Sequence, residues 1–408
     1  MFYNNVEGDK MERQILHVDV NNAFLSWTAV DMLNNGENID IRDIPAIIGG
    51  DEAQRKGVVL AKSMKAKQFG IVTGETLYSA RRKCPDVKVY MGNYSVYKQY
   101  SDRLYKLLLE YTDEIERFSI DECFLDLTHF LRGQSLISIA NEISKRVKEE
   151  LKFTVNIGVA NNKLLAKMAS DFTKPDKVHT LYKEEIKTKM WTLPVSELFM
   201  VGRKSIPKLE RMGVKTIGDL AKKDINFLIK QFGKHGKMMW EYANGIDNSE
   251  VVYKYTKPKC VGNSVTFPSD IDNIEKLEEI LLSLTEQVTY RLRKHNLIAN
   301  VVNVQIKTNE FKVSSHQRKI GVPTSSTKTI YNIAKELLEQ LYKGEYIRLI
   351  GVQVSELSGK DESQLSLFDT DVNEKQEKID EALDKIKQKY GYETITRAGN
   401  LNIEKMFK

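Results

Sequence analysis

Cysteine is nearly missing from this 408-residue chain: Cys84, Cys123 and Cys260 are all it has, odd in number and widely scattered. That excludes a disulfide scaffold. No pair has the spacing of a zinc ligand set, so a reducing interior is the expected compartment. No cluster of histidines makes up for the missing cysteines. No apolar run approaches the roughly 20 residues of a membrane span, and the N-terminal residues lack a signal-peptide pattern. A cytoplasmic protein with no membrane contact is expected. Charge carries no strong bias either: 62 Lys and Arg stand against 56 Asp and Glu, a net charge of +6 and a pI near 8.8. Such an excess suits nucleic-acid contact without requiring it. The length is too great for one ordinary core and implies about two to four domains.

What is present is acid in apolar surroundings. The run SIDECFLD at residues 119–126 sets Asp121 and Glu122 beside Ile120, Cys123, Phe124 and Leu125. Such flanks read as a strand in a packed sheet, where a charged pair is costly unless a cation compensates it. Asp19, in HVDVNNAF at residues 17–24, has a similar setting. Three carboxylates in strand settings, with no histidine or cysteine cluster, point to hard divalent cations held through oxygen, Mg²⁺ above all. Two-metal phosphoryl transfer has that requirement. Consecutive residues of a regular strand face opposite ways, so Asp121 and Glu122 converge only at a hairpin tip or a bulge.

Strands are predicted at 14–20, 46–50, 57–61, 115–118, 123–127 and 153–160, with helices at 93–112, 134–150 and 162–173. Without the insertion after the first strand, the order is that of a ferredoxin-like fold. From about 181 the texture changes. Residues 193–221 read as short helices around Val-Gly-Arg-Lys, and a glycine hairpin of this kind offers backbone N–H groups to a phosphate, with Arg203 and Lys204 adding charge. Residues 246–260 read as a linker. A second α/β unit spans 261–357, with helices near 274–294 and 328–342 and strands at 300–308 and 346–355. Beyond 358 the chain is polar, with one more helix candidate at 373–390 that reads as a solvated terminal helix.

HVDVNNAF, SIDECFLD, NNKLLAKMASDFTKP (161–175), the glycine hairpin and the trailing α/β unit occur in an order that resembles the Y-family translesion DNA polymerases. The resemblance lies with the bacterial UmuC/ImpB/MucB/SamB and DNA polymerase IV-like branch, and it covers residues 13–368. It implies an α+β multidomain right-hand polymerase. A ferredoxin-like palm would comprise 13–23 and 93–180, small fingers 24–92, a helical helix-hairpin-helix thumb 181–245, a linker 246–260, an α/β little finger 261–357, and a tail 358–408. It implies that Asp19, Asp121 and Glu122 hold two Mg²⁺ ions, with the Val20 carbonyl as a further ligand. Phe24 falls at the family's steric gate, Lys67 and Lys174 at its dNTP phosphate contacts, and Gly202, Arg203 and Lys204 at its DNA-backbone contact. Met64 and Lys67 depart from the tyrosine and arginine of many relatives, so Met64 gets no phosphate role; Lys62 or Ser63 is a possible replacement.

QLSLF at 364–368 resembles the pentapeptide that docks bacterial polymerases on the sliding clamp, with Leu365, Leu367 and Phe368 as apolar anchors and Gln364 as a polar contact. The implied partners are primer-template DNA, dNTPs and the clamp, the chain being otherwise a monomer. The short fingers and the lack of a further acidic cluster for proofreading imply low fidelity and a role in lesion bypass, DNA repair and an SOS response. A nucleotidyl cyclase has no use for the hairpin or the clamp motif. A clamp-tethered DNA-binding factor with impaired catalysis has no use for the three acids.

Overall fold

Side-chain alternation decides the central sheet. In β1 (Ile15–Val20), Leu16, Val18 and Val20 point one way and His17 and Asp19 the other. The same division runs through β6 (Glu122–Asp126) and β7 (Val155–Ala160), where Cys123, Leu125, Val155, Ile157 and Val159 join the apolar side. The opposite face carries Glu122, Asn156 and Gly158. In the computed structural model the described residues are 12–391, apart from 53, 54, 56, 132, 255, 256 and 361–370, together with 394 and 395. They fall into two compact units, one drawn from Met1–Gly50 and Val58–Tyr255, the other from Asp51–Gly57 and Thr256–Lys408.

In the first unit the sheet order is β5-β6-β1-β7-β8, with β5 at Ile115–Arg117 and β8 at Val178–Thr180. All neighbours are antiparallel except β7 and β8. Between β1 and β5 lie α1 (Ala23–Asn34), a small sheet of β2 (Ala46–Gly49), β3 (Val59–Lys62) and β4 (Lys88–Met91) with α2 (Met64–Gln68) and α3 (Leu77–Lys83), then α4 (Tyr94–Leu108). Helices α4 and α5 (Leu136–Arg146) cover the apolar face. This is the ferredoxin-like order expected, with the insertion in the expected place.

Helix α6 (Lys163–Ser170) covers the other face, started by Asn162, whose side chain accepts the Leu165 N–H at 2.8 Å. Its approach depends on Gly158: a Cβ there would stand 1.8 Å from the Ala166 carbonyl oxygen. The closeness brings Lys167 and Ser170 over β1. The core under α6 continues into α7 (Ile206–Arg211), α8 (Ile217–Ala221), α9 (Ile225–Phe232) and α10 (Lys234–Ala243). The first short helix expected before Gly202 is only one 3₁₀ turn, Val195–Glu197.

The second unit is an antiparallel sheet in the order β11-β10-β12-β9, with α11 (Ile274–Lys294) and α12 (Thr327–Leu341) packed on its core. Strands β10 (Leu297–Thr308) and β12 (Ile347–Ser355) match expectation; β9 (Cys260–Ile271) and β11 (Val313–Thr324) are strands the sequence reading left out. A short β13 (Ser358–Gly359) pairs with the start of β10.

The terminal helix α13 (Asp371–Tyr390) corrects the expectation of a solvated helix. Its buried side chains include Asp380 and Asp384, while Ile379 is 45% exposed. Asp384 takes both Nε and an Nη of Arg293 at 2.6 and 3.0 Å, and Asp380 accepts the Thr327 N–H at the start of α12 at 2.9 Å. The pair i, i+4 shares one helix face, and Arg293 also donates to the Ser325 carbonyl at 2.9 Å. Removing one partner of a buried pair costs about 3–5 kcal/mol. In Arg293→Ala, hydrogen exchange will show lost amide protection over 378–390 with the sheet of this unit still protected. Unchanged protection would disprove the latch.

Candidate active site

Two acids face each other at one end of the central sheet, and a third lies in the adjoining bend. Asp19, the penultimate residue of β1, stands directly across the ladder from Glu122, the first residue of β6. Asp121 lies off the strand, in the bend over 119–121. The N–H groups of Phe118 and Ser119 both donate to the Glu122 carbonyl, at 3.0 and 3.2 Å. The hairpin tip therefore frees Asp121 from strand alternation, as the sequence required. Val20 donates its N–H to the Asp121 carbonyl at 3.1 Å; in an antiparallel strand its own carbonyl faces the same neighbour. Asp126, by contrast, accepts the Thr128 N–H at 2.9 Å and is a structural acid.

Each acid already has a partner. Lys174 holds Asp19 and also Asp171, the latter at 2.8 Å. Lys167 reaches Glu122 at 3.0 Å, and Ser119 Oγ donates to Asp121 at 2.6 Å. Burial pushes the Asp19 carboxyl up, and Lys174 opposes this without overcoming it. Burial works against the charge of Lys174 as well, but Asp19 and Asp171 outweigh it and push its pKa up to about 12. For Glu122, burial is outweighed by His17 and Lys167, which hold the carboxyl down to about 2. Lys167 is the firmer partner. Burial lowers the pKa of His17, and its Nε2, 3.5 Å from Glu122, has no hydrogen bond.

Among the described residues no three Asp, Glu, His or Cys side chains form a ready metal cage. The donors nonetheless fit a hard cation. All are oxygens, they leave the sheet at one end, and each carboxylate is engaged by a lysine or hydroxyl that a divalent ion could replace. The raised pKa of Asp19 marks negative charge that its lysine leaves incompletely balanced.

Beside the acids opens a cleft of about 150 Å³, lined by Asn21, Asn22, Met64 and three lysines, Lys62, Lys67 and Lys174. Two of these lysines were expected here. Lys62, one of the two replacements considered, stands with them: burial and then the charge of Lys67 lower its pKa. Ser63 is no substitute. Its hydroxyl caps α2 at Ala66 N and donates to the Ile44 carbonyl at 2.7 Å. Phe24, in the first turn of α1, is half-buried, its ring stacked on Tyr97 at 4.6 Å and edge-on to Tyr94 at 6.0 Å. Gly202, Arg203 and Lys204 are exposed in a turn before α7, and among the described residues their N–H groups meet no acceptor. Gln364, Leu365, Leu367 and Phe368 lie outside the described residues.

Comparison with known proteins agrees with this architecture. The impB/mucB/samB family matches residues 18–171, its C-terminal domain matches 258–367, and a "DNA polymerase-iota, thumb domain" matches 197–247. A DNA polymerase IV of Clostridium acetobutylicum is 49% identical over 388 residues, covering 95% of this chain and 98% of its own. Another, from Acetivibrio thermocellus, is 39% identical over 394 residues, covering 95% and 97%. Among solved structures, a Y-family DNA polymerase chimera of Dbh and Dpo4 superposes with a TM-score of 0.75 at 24% identity, covering 85% of this chain and 99% of the chimera.

The depressed Glu122 pKa has a pH signature. Its stabilisation is present above the ordinary value of 4.5 and is lost as pH falls toward about 2. In the metal-free protein, NMR of labelled glutamate carboxyls should find Glu122 ionised until near pH 2, and Lys167→Met should move its midpoint upward. A midpoint at the ordinary value in the unaltered chain would refute the pairing.

Proposed function

The chain belongs to the impB/mucB/samB family, the Y-family DNA polymerases of the DinB type, and from that membership we propose how its own residues carry the reaction. It is a DNA-directed DNA polymerase, a nucleotidyltransferase of translesion synthesis and DNA repair. The primer 3′-hydroxyl oxygen attacks the α-phosphorus of a dNTP, a P–O bond forms, and the bond to pyrophosphate breaks. The observation that carries the residue-level reading is the pairing of Asp19 with Glu122 beside the three-lysine cleft.

Asp19, Asp121, Glu122 and the Val20 carbonyl would hold two Mg²⁺ ions, which supply Lewis acidity at the hydroxyl and the triphosphate. Lys67, Lys174 and Lys62 bind the triphosphate oxygens and balance the charge that passes to pyrophosphate. The half-buried ring of Phe24, braced by Tyr97, packs against the deoxyribose and leaves no room for a 2′-hydroxyl. Gly202, Arg203 and Lys204 contact the DNA backbone through free N–H groups and charge. The five-stranded sheet and α4–α6 serve as palm, the 24–92 insertion as fingers, 181–245 as thumb and 261–357 as little finger. Residues 364–368 dock a sliding clamp. The protein works as a cytoplasmic monomer apart from that clamp.

Extension of a primed template with Mg²⁺ and dNTPs tests the metal site: the wild type extends, and Asp121→Ala/Glu122→Ala loses about 10³-fold or more of the rate. Equal extension by both would reject the assignment. In Phe24→Ala, incorporation of rNTP relative to dNTP should rise by at least about tenfold, and an unchanged ratio would remove Phe24 from the gate.

A further inference from the structure

Asn156 is a buried amide to which neither the chemistry nor the cleft above gives a role. It is 0% exposed and lies on β7, directly opposite Asp19 of β1 in the ladder. Its Nδ2 donates to the carbonyls of Ser170 at 3.0 Å and Thr173 at 2.8 Å. Its Oδ1 accepts from Asn21 Nδ2 at 3.1 Å and from the Lys177 N–H at 3.4 Å. Asn21 in turn uses its Oδ1 to accept the Asp176 N–H and the Thr154 hydroxyl, each at 2.9 Å. The pair thus grips the backbone at 170, 173, 176 and 177, on both sides of Lys174. That stretch lies between the end of α6 and β8; besides the amide pair, its backbone is held at Lys177, whose carbonyl accepts the Ile157 N–H at 2.9 Å.

The chemistry of the grip is specific. Two carbonyls need two donors from one side chain, and two donors from Asn21 and Lys177 need an acceptor on the same group. A primary amide meets both demands without charge; a carboxylate or a single hydroxyl does not. Being fully buried, Asn156 touches no substrate, and its influence on one passes through the loop.

We propose that Asn156 is a positioning residue for the 171–177 loop, setting where the Lys174 ammonium stands between Asp19 and the triphosphate. The proposal rests on the reading of Lys174 as a triphosphate contact. It assigns Asn156 to dNTP affinity, and neither to the metal acids nor to DNA contact.

Single-nucleotide insertion kinetics on the full chain tests it, with Asn156→Ser and the fuller-sized Asn156→Thr as variants, each alone and combined with Lys174→Ala. Each variant alone should raise the dNTP KM about tenfold, with kcat and primer-template Kd within about twofold, the equivalent of one or two lost hydrogen bonds. Added to Lys174→Ala, neither variant should raise KM further, because the group it positions is gone. A full additional increase in that background would overturn the proposal. So would an unchanged KM in variants whose Tm has fallen, since that is the mark of a purely structural amide. Failure of the unaltered chain to insert any nucleotide would sink the polymerase reading itself, and this proposal with it.

Discussion

A carboxylate at the buried end of a packed sheet has to be answered by a cation, and much of the first unit follows from how Asp19 and Glu122 are answered. The two face each other across β1 and β6 on the side away from the apolar core. Water is largely excluded, so the answer comes from α6 and the loop after it, through Lys167 and Lys174. Those lysines reach the acids only because α6 lies close to β7, and the approach requires a residue with no side chain at 158. A glycine in a strand is normally a weakness. Here it sets the spacing between the charged face and the helix that balances it. Lys167 and Lys174 hold Glu122 and Asp19, and Lys174 also lines the cleft together with Lys62 and Lys67.

Much of this arrangement was legible in the amino-acid order. The strands of the central sheet are short apolar runs with one or two conspicuous polar residues, so their positions and the acids they carry stand out. The need for a bend at Asp121 followed from strand alternation alone. Other features were hidden for physical reasons. Strand β11 carries Ser, His, Gln, Arg and Lys on a largely exposed edge and buries little, so no hydrophobic pattern marks it. Lys62 looks like any solvated lysine until β3 and α2 carry it to the cleft. Asn21 and Asn156 are ordinary polar residues in sequence, and only the fold shows that each amide is satisfied by the other and by one loop. The 3₁₀ turn before Gly202 was overestimated as a helix because glycine, proline and apolar spacing say little about the length of so short an element.

The terminal helix shows where pattern reading misleads. A polar, charge-rich stretch reads as a solvated helix, yet α13 docks through aspartates onto Arg293 and the start of α12. An arginine with a bidentate carboxylate is a directional clasp, whereas apolar contact would let the helix slide.

That clasp is shared by a second contact within the same unit. Lys360 donates its N–H to the Asn296 carbonyl at 3.1 Å and its ammonium meets Glu381 on α13 at 3.2 Å. Asp380, Glu381 and Asp384 thus fix α13 at three points within about one turn, so that turning the helix about its own axis would break all three together.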